Sequence, residues 1–146
     1  DKWEEIKVQE RKEKKQNGVL DGIAHNLPAL NRSQKIQKRA SKVGFDWPDV
    51  IGVFKKIKEE TNELEEAISK KDKESIEEEI GDLLMIITNL AQKLDVNSEQ
   101  ALKKSNDKFI RRFNYLEEHL NKKNETFSET SFEELDALWD QSKKLS

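Results

Sequence analysis

The chain of 146 residues contains no cysteine. That excludes a disulfide framework and any thiolate-bound metal, and it points to a reducing compartment, with a cytoplasmic location as the expectation. Only five glycines and two prolines interrupt the chain, a scarcity that, beside 39% charged and 34% hydrophobic residues, belongs to a surface-rich helical protein. No apolar run approaches the ~20 residues of a membrane-spanning helix. Charge of one sign is also lacking: 27 basic against 30 acidic residues leave a net charge of -3, which does not favour a nucleic-acid polymer as partner. No segment of strand length alternates with period two, so the fold class is all-α. The length suits one compact domain. Position 1 is Asp and no signal peptide precedes it, so a piece of a longer protein is expected.

What is present is a succession of apolar stripes at helical spacing. Residues 1–25 carry Trp3, Ile6, the charged run Glu10 to Lys15 and the turn signal Asn17-Gly18, but no sustained stripe, and read as a partly helical arm or interdomain linker. Residues 26–146 read as the domain proper. Leu30, Ile36, Ala40 and Val43 mark a helix with Pro28 in its first turn and Gly44 just past its end. Phe45 to Pro48 form a connector, from which Pro48 can start a helix through Val50, Val53, Phe54, Ile57, Leu64 and Ile68. The next, with Asp72 as N-cap, runs through Ile76, Ile80, Leu83, Leu84, Ile87, Leu90 and Leu94. The turn between these two is short, so they form an antiparallel hairpin. A third strong helix carries Leu102, Phe109, Phe113, Leu116 and Leu120, with Asn97 and Gln100 spaced as a capping box. A polar loop from Asn121 to Thr130 then leads to a closing helix with Phe132, Leu135 and Trp139.

Acidic residues are abundant, and helical rotation separates those that solvent explains from those it does not. With Ile57 as zero, Glu60 and Glu63 fall about 60° and 120° to one side of the first hairpin stripe; with Ile76 as zero, Glu79 and Asp82 fall at the same offsets and in the same sense on the second. Glu59, Glu66 and Glu78 point to the opposite, solvated side. In an antiparallel hairpin equal offsets of one sense meet on one side of the seam, and both pairs are equidistant from residue 71 at the turn. Four carboxylates are thereby expected at one level on the edge of the core, where their repulsion calls for a cation. The donors are all oxygen, and both histidines, His25 and His119, lie outside the hairpin. This favours Mg²⁺, or Mn²⁺, over Zn²⁺ or a di-iron centre. The plain alternative is that these are flanking charges of two acidic amphipathic helices.

Such a Mg²⁺ site generally shares its ion with substrate phosphates. On the third helix, with Leu102 as zero, Lys108 and Arg112 lie about 120° and 80° to one side of the stripe, whereas Lys104 and Arg111 point to solvent. Lys108 and Arg112 can grip successive phosphoryl groups, or can simply belong to a solvated face. Asn106 can orient a phosphate or a ribose hydroxyl, or can be a polar core residue bonded to backbone. Trp47 and Trp139 are the candidates for contact with a base; for Trp139, in register with Phe132 and Leu135, core packing competes.

Glu60-Thr61-Asn62-Glu63, fifteen residues, then Glu79-Ile80-Gly81-Asp82 resembles the E-x-x-E, E-x-x-D signature of the MazG nucleoside triphosphate pyrophosphohydrolases, of the all-α NTP pyrophosphatase superfamily. The segments Leu27-Pro28-Ala29-Leu30, Lys42 to Pro48, Asn89-Leu90-Ala91 and Asn106 to Phe113 are likewise similar to the catalytic C-terminal domain of its two-domain members, from about Trp3 to Lys144. The resemblance implies Mg²⁺-dependent hydrolysis of nucleoside triphosphates to monophosphate and pyrophosphate, a house-cleaning activity on the nucleotide pool, by a homodimer whose helices build a bundle. It further implies metal ligation by Glu60, Glu63, Glu79 and Asp82, triphosphate contact by Lys108 and Arg112, and a further domain in the intact chain.

A rival from another class is a non-enzymatic helical dimerisation or interaction module, whose acidic faces dock a partner without chemistry. Both readings expect assembly. On the second hairpin helix Met85 points nearly opposite the stripe and Ile86 widens it to about 80°. The surplus predicts a two-fold dimer that packs two hairpins as a four-helix bundle, with the acidic clusters facing outward.

Overall fold

The computed structural model describes residues 2–13 and 18–145. The described residues form α1 (Lys2–Glu13), α2 (Ala29–Lys42), α3 (Val50–Ser69), α4 (Lys73–Lys93), α5 (Ser98–Lys122) and α6 (Phe132–Lys143), and no strand occurs among them. The all-α expectation holds. Of the predicted N-terminal features, the end of the charged run and Asn17 lie outside the described residues. The chain divides into two compact units, residues 1–99 and 100–146, so that α5 begins at the end of the first.

Local chemistry sets the helix ends. α2 stops where Gly44 takes φ 95°, with Gly44 N–H on the Ser41 carbonyl and Phe45 N–H on that of Ala40, a Schellman closure. The start of α3 differs from the expectation at Pro48. Asp49 is the cap, its Oδ1 accepting from Gly52 N at 2.9 Å, because proline has no side chain able to take up an orphan N–H. Asp72 caps α4 as predicted, accepting from Ser75 N and from Ser75 Oγ.

In the first unit α3 and α4 form the antiparallel hairpin and α2 lies along α4. The α2–α4 seam is polar at its centre. Thr88 Oγ1 meets Ser33 Oγ at 2.9 Å and accepts from Gln37 Nε2 at 2.6 Å, while the same Gln37 amide also reaches the Met85 carbonyl. Residues 18–25 are tied to α2 through Arg39 and Arg32, which donate to the Asp21 and Ala24 carbonyls, and Ile23 is buried. Val53 of α3 and Ile86 of α4 are fully enclosed.

Ile86 corrects the predicted surplus. It is 1% exposed rather than left over, because it stands seven residues after Glu79 and four after Asp82, on the face of α4 turned to α3. The uncovered apolar side chains are instead those of the predicted stripe itself, Ile80, Leu84, Ile87 and Leu94 on α4 with Phe54 and Ile68 on α3, together with Met85.

In the second unit Leu116, Leu120 and Leu138 make the core, with Tyr115, Phe127, Leu135 and Trp139 packed on it. An aromatic ladder continues it: Phe113 stacks on Phe127 at 4.9 Å and Phe109 meets Trp139 at 5.2 Å between ring centroids. Leu102 and Phe109, expected in the core stripe of α5, remain largely exposed.

Candidate metal centre

The site begins with a face of α3. Lys56, Glu60 and Glu63 succeed one another at steps of four and three residues, so their side chains stack along one flank. Glu79 and Asp82 repeat the arrangement on α4. The hairpin then brings carboxylate oxygens of Glu60, Glu79 and Asp82 within 4.8 Å of one another. Glu63 is more exposed and lies near enough for the charge of Glu60 to act on its carboxyl. The rotational arithmetic anticipated that carboxylates of the two helices meet, but the stripe it set at the seam does not lie there, since Ile80, Leu84 and Ile87 are exposed.

Charge crowding divides the protons unequally. The Glu79 carboxyl is pushed up to about 7, first by its hydrogen bond to Glu60, then by lost contact with water, then by the negative charges of Glu60, Glu63 and Asp82. Glu60, 6% exposed, is lowered by accepting from Glu79, against its burial, and by Lys56, whose Nζ lies 3.1 Å from its Oε1. Glu63 is raised, chiefly by the charge of Glu60. A proton on Glu79 donated toward Glu60 accounts for all three directions.

Even so, Glu60 Oε2 and Glu79 Oε2 are buried without a hydrogen-bond partner. Unpaired buried carboxylate oxygens are costly, and a hard divalent cation with oxygen ligands is what this donor set fits. Lys56 was not singled out from the sequence. It lies about 100° from Ile57, between the offsets of Glu60 and Glu63, so the same arithmetic extended one turn toward the N-terminus would have found it.

The other predicted residues are distributed as follows. Trp47 is half-buried against Gly52 at the start of α3, with its carbonyl accepting from Lys93 Nζ. Lys108 is exposed and lines a shallow depression of about 320 Å³ with Lys104, Ser105, Asp107 and Arg111. Arg112 is half-buried, with its guanidinium 5.7 Å over the Trp139 ring. Trp139 is therefore partly core and partly a stacking surface, and Asn106 is exposed rather than bonded within a core. The carboxylates belong to the first unit; Asn106, Lys108, Arg112 and Trp139 belong to the second.

A helical hairpin that gathers the carboxylates of Glu60, Glu79 and Asp82 defines an all-α protein with a site fitted to a divalent cation. More particularly, residues 51–116 match the MazG nucleotide pyrophosphohydrolase domain, a stretch holding all four carboxylates, Lys108 and Arg112. It is 45% identical over 141 residues to the Thermotoga maritima nucleoside triphosphate pyrophosphohydrolase/pyrophosphatase MazG, covering 97% of this chain and 54% of that relative. To the Escherichia coli K12 nucleoside triphosphate pyrophosphohydrolase it is 41% identical over 145 residues, 98% of this chain and 55% of the relative. It also matches the uncharacterized protein YabN of Bacillus subtilis, 38% identical over 143 residues, 97% of this chain and 29% of that protein. The chain spans about half the length of the first two relatives.

Proposed function

We propose that residues 26–146 are the catalytic domain of a nucleoside triphosphate pyrophosphohydrolase, which converts a nucleoside triphosphate and water to the monophosphate and pyrophosphate. The observation that carries this reading is the group of Glu60, Glu79 and Asp82 oxygens within 4.8 Å, two of whose neighbouring oxygens are buried and unpaired. The activity is the one by which the Thermotoga and Escherichia relatives are named. Residues 1–25 are taken as an arm or linker toward a further domain, in keeping with relatives nearly twice as long. The domain works as a homodimer in the cytoplasm; no described helix is long and apolar enough to cross a membrane.

In this reading Glu60, Glu63, Glu79 and Asp82 hold Mg²⁺, with Mn²⁺ as a substitute. The ion, when bound, supplies Lewis acidity and neutralises triphosphate charge. Lys108 and Arg112 hold phosphoryl oxygens, Lys as a point charge and Arg as a planar fork, and stabilise the charge that develops on them. Asn106 orients a phosphate or ribose hydroxyl, and Trp47 and Trp139 offer aromatic surface to the base. One of Glu60, Glu63 and Glu79 accepts the proton of the attacking water.

The test is product analysis. The purified chain with Mg²⁺ and a mixture of nucleoside triphosphates is expected to release monophosphate and pyrophosphate. Diphosphate with phosphate, or no turnover, would count against the reading. Asp82→Asn and Glu63→Gln should each lower turnover by about 100-fold or more with helicity unchanged. Undiminished turnover in both would overturn the ligand assignment.

A further inference from the structure

The connector between α2 and α3 is fastened to α4 at the end of the hairpin remote from its turn. Asp46 is half-buried, and its two oxygens serve three donors. Oδ1 accepts from Asn89 Nδ2 at 2.9 Å and from Trp47 N at 2.8 Å, and Oδ2 accepts from Lys93 Nζ at 2.9 Å. The same ammonium donates to the Trp47 carbonyl, and the Trp47 indole lies over Gly52 in the first turn of α3. Lys93 and Asn89 are both well enclosed, at 12% side-chain and 3% residue exposure. Asp46 therefore joins the start of α3 to the last two turns of α4.

This junction matters because of what lies between it and the turn. Asn89 follows Asp82 by seven residues, so the two share a face of α4 about 10 Å apart along the axis. Midway along the hairpin the carboxylates of Glu60, Glu79 and Asp82 press on one another, and Lys56 offsets only part of that charge. Repulsion at this level drives the two helices apart. The turn at residues 70–72 fastens one end; toward the other, the buried Val53 supplies apolar packing, which is non-directional and sets no unique register. A second restraint is needed at the far end, and charge-assisted bonds to a half-buried carboxylate fix both distance and register there.

We infer that Asp46 is a positioning residue for the carboxylate site: with Asn89 and Lys93 it closes the open end of the hairpin and holds Glu60 against Glu79 and Asp82 at the spacing a divalent cation requires. The inference rests on the metal-dependent reading above.

The test titrates Mn²⁺ alone, by calorimetry, into the metal-free chain and into Asp46→Asn and Lys93→Met, well below their melting temperatures. Leu138→Ala, in the core of the second unit, serves as a control destabilised elsewhere. Asp46→Asn and Lys93→Met are each expected to weaken the Mn²⁺ Kd by about tenfold. Amide hydrogen exchange without metal should accelerate at residues 50–57 and 87–93 but not at 66–76. Leu138→Ala should melt earlier yet keep the wild-type Kd. The assignment is overturned if the wild type binds Mn²⁺ and both variants retain its Kd, or if Leu138→Ala weakens binding as much. Should Asp46→Asn fail to fold, Lys93→Met decides alone by the same criteria. A wild type with no saturable Mn²⁺ binding would instead sink the metal-dependent function, and this inference with it.

Discussion

Glu60 and Glu79 occupy matching positions on facing helices, yet their acidities move in opposite directions, because one carboxyl can keep a proton and lend it to the other. That asymmetry has a consequence for stability. Glu79 in the folded chain titrates at about 7, above the ordinary carboxylate value of 4.5, so between these pH values the folded state binds more protons than the unfolded state. Stability of the metal-free chain must then fall as pH rises through this window. Glu63, also raised, acts in the same sense; Glu60, lowered, contributes stability that is lost only as pH falls below the ordinary carboxylate range. Thermal melts in chelator should therefore show Tm declining from pH 5 to pH 8, with a shallower decline in Glu79→Gln and in saturating Mg²⁺. An equal slope in wild type and Glu79→Gln would refute the shared proton. At this scale the four carboxylates were legible in the sequence because helical rotation is regular. The Asp46, Asn89 and Lys93 junction was not: it joins a loop to a helix more than forty positions away, and no periodicity encodes that.

Helix ends were legible where the chemistry is local. Gly44 takes the positive φ that closes α2, and Asp72 caps α4 with its own side chain. The same closure occurs without glycine: Lys71 takes φ 55° after α3, Asp95 φ 56° after α4 and Asn124 φ 55° after α5. At each, an N–H one residue further on reaches back to a carbonyl five positions earlier. For Lys71 the left-handed conformation costs about 1–2 kcal/mol, against roughly 0.5–1 kcal/mol for the extra backbone entropy that glycine would lose. Lys71→Gly should thus stabilise the chain by about 0.5 kcal/mol, seen as a higher urea midpoint with unchanged slope. A midpoint equal to or below wild type would show that the turn tolerates lysine without strain. The apolar stripes marked five of the six described helices in order, α1 having none, but not which flank of α4 is covered. Ile86 is buried on the face that Glu79 and Asp82 turn to α3, whereas α2 is held elsewhere on α4 by Ser33 and Gln37 at Thr88, and polar side chains at a seam leave no hydrophobic pattern to read.

For the whole molecule, the uncovered stripe carries the argument. Ile80, Leu84 and Ile87 are 46%, 54% and 48% exposed, and they fall at i, i+4 and i+7 on one face of α4, with Phe54 and Ile68 of α3 also exposed. A two-helix face of this kind, in a chain whose other surfaces are so highly charged, matches what one hairpin presents to another across a two-fold axis. The proposed four-helix bundle thus rests on the predicted stripe itself, with Ile86 playing no part in it. Burying three large aliphatic side chains per copy removes a substantial apolar area, each worth about 1.5–3 kcal/mol if fully enclosed. A charge at the centre of that face should be intolerable in the assembly and harmless in a single chain. Sedimentation equilibrium at micromolar concentration should accordingly give twice the chain mass for wild type and the single-chain mass for Leu84→Glu, with equal helicity by circular dichroism. A wild type at single-chain mass, or a Leu84→Glu variant that still associates, would remove α4 from the interface.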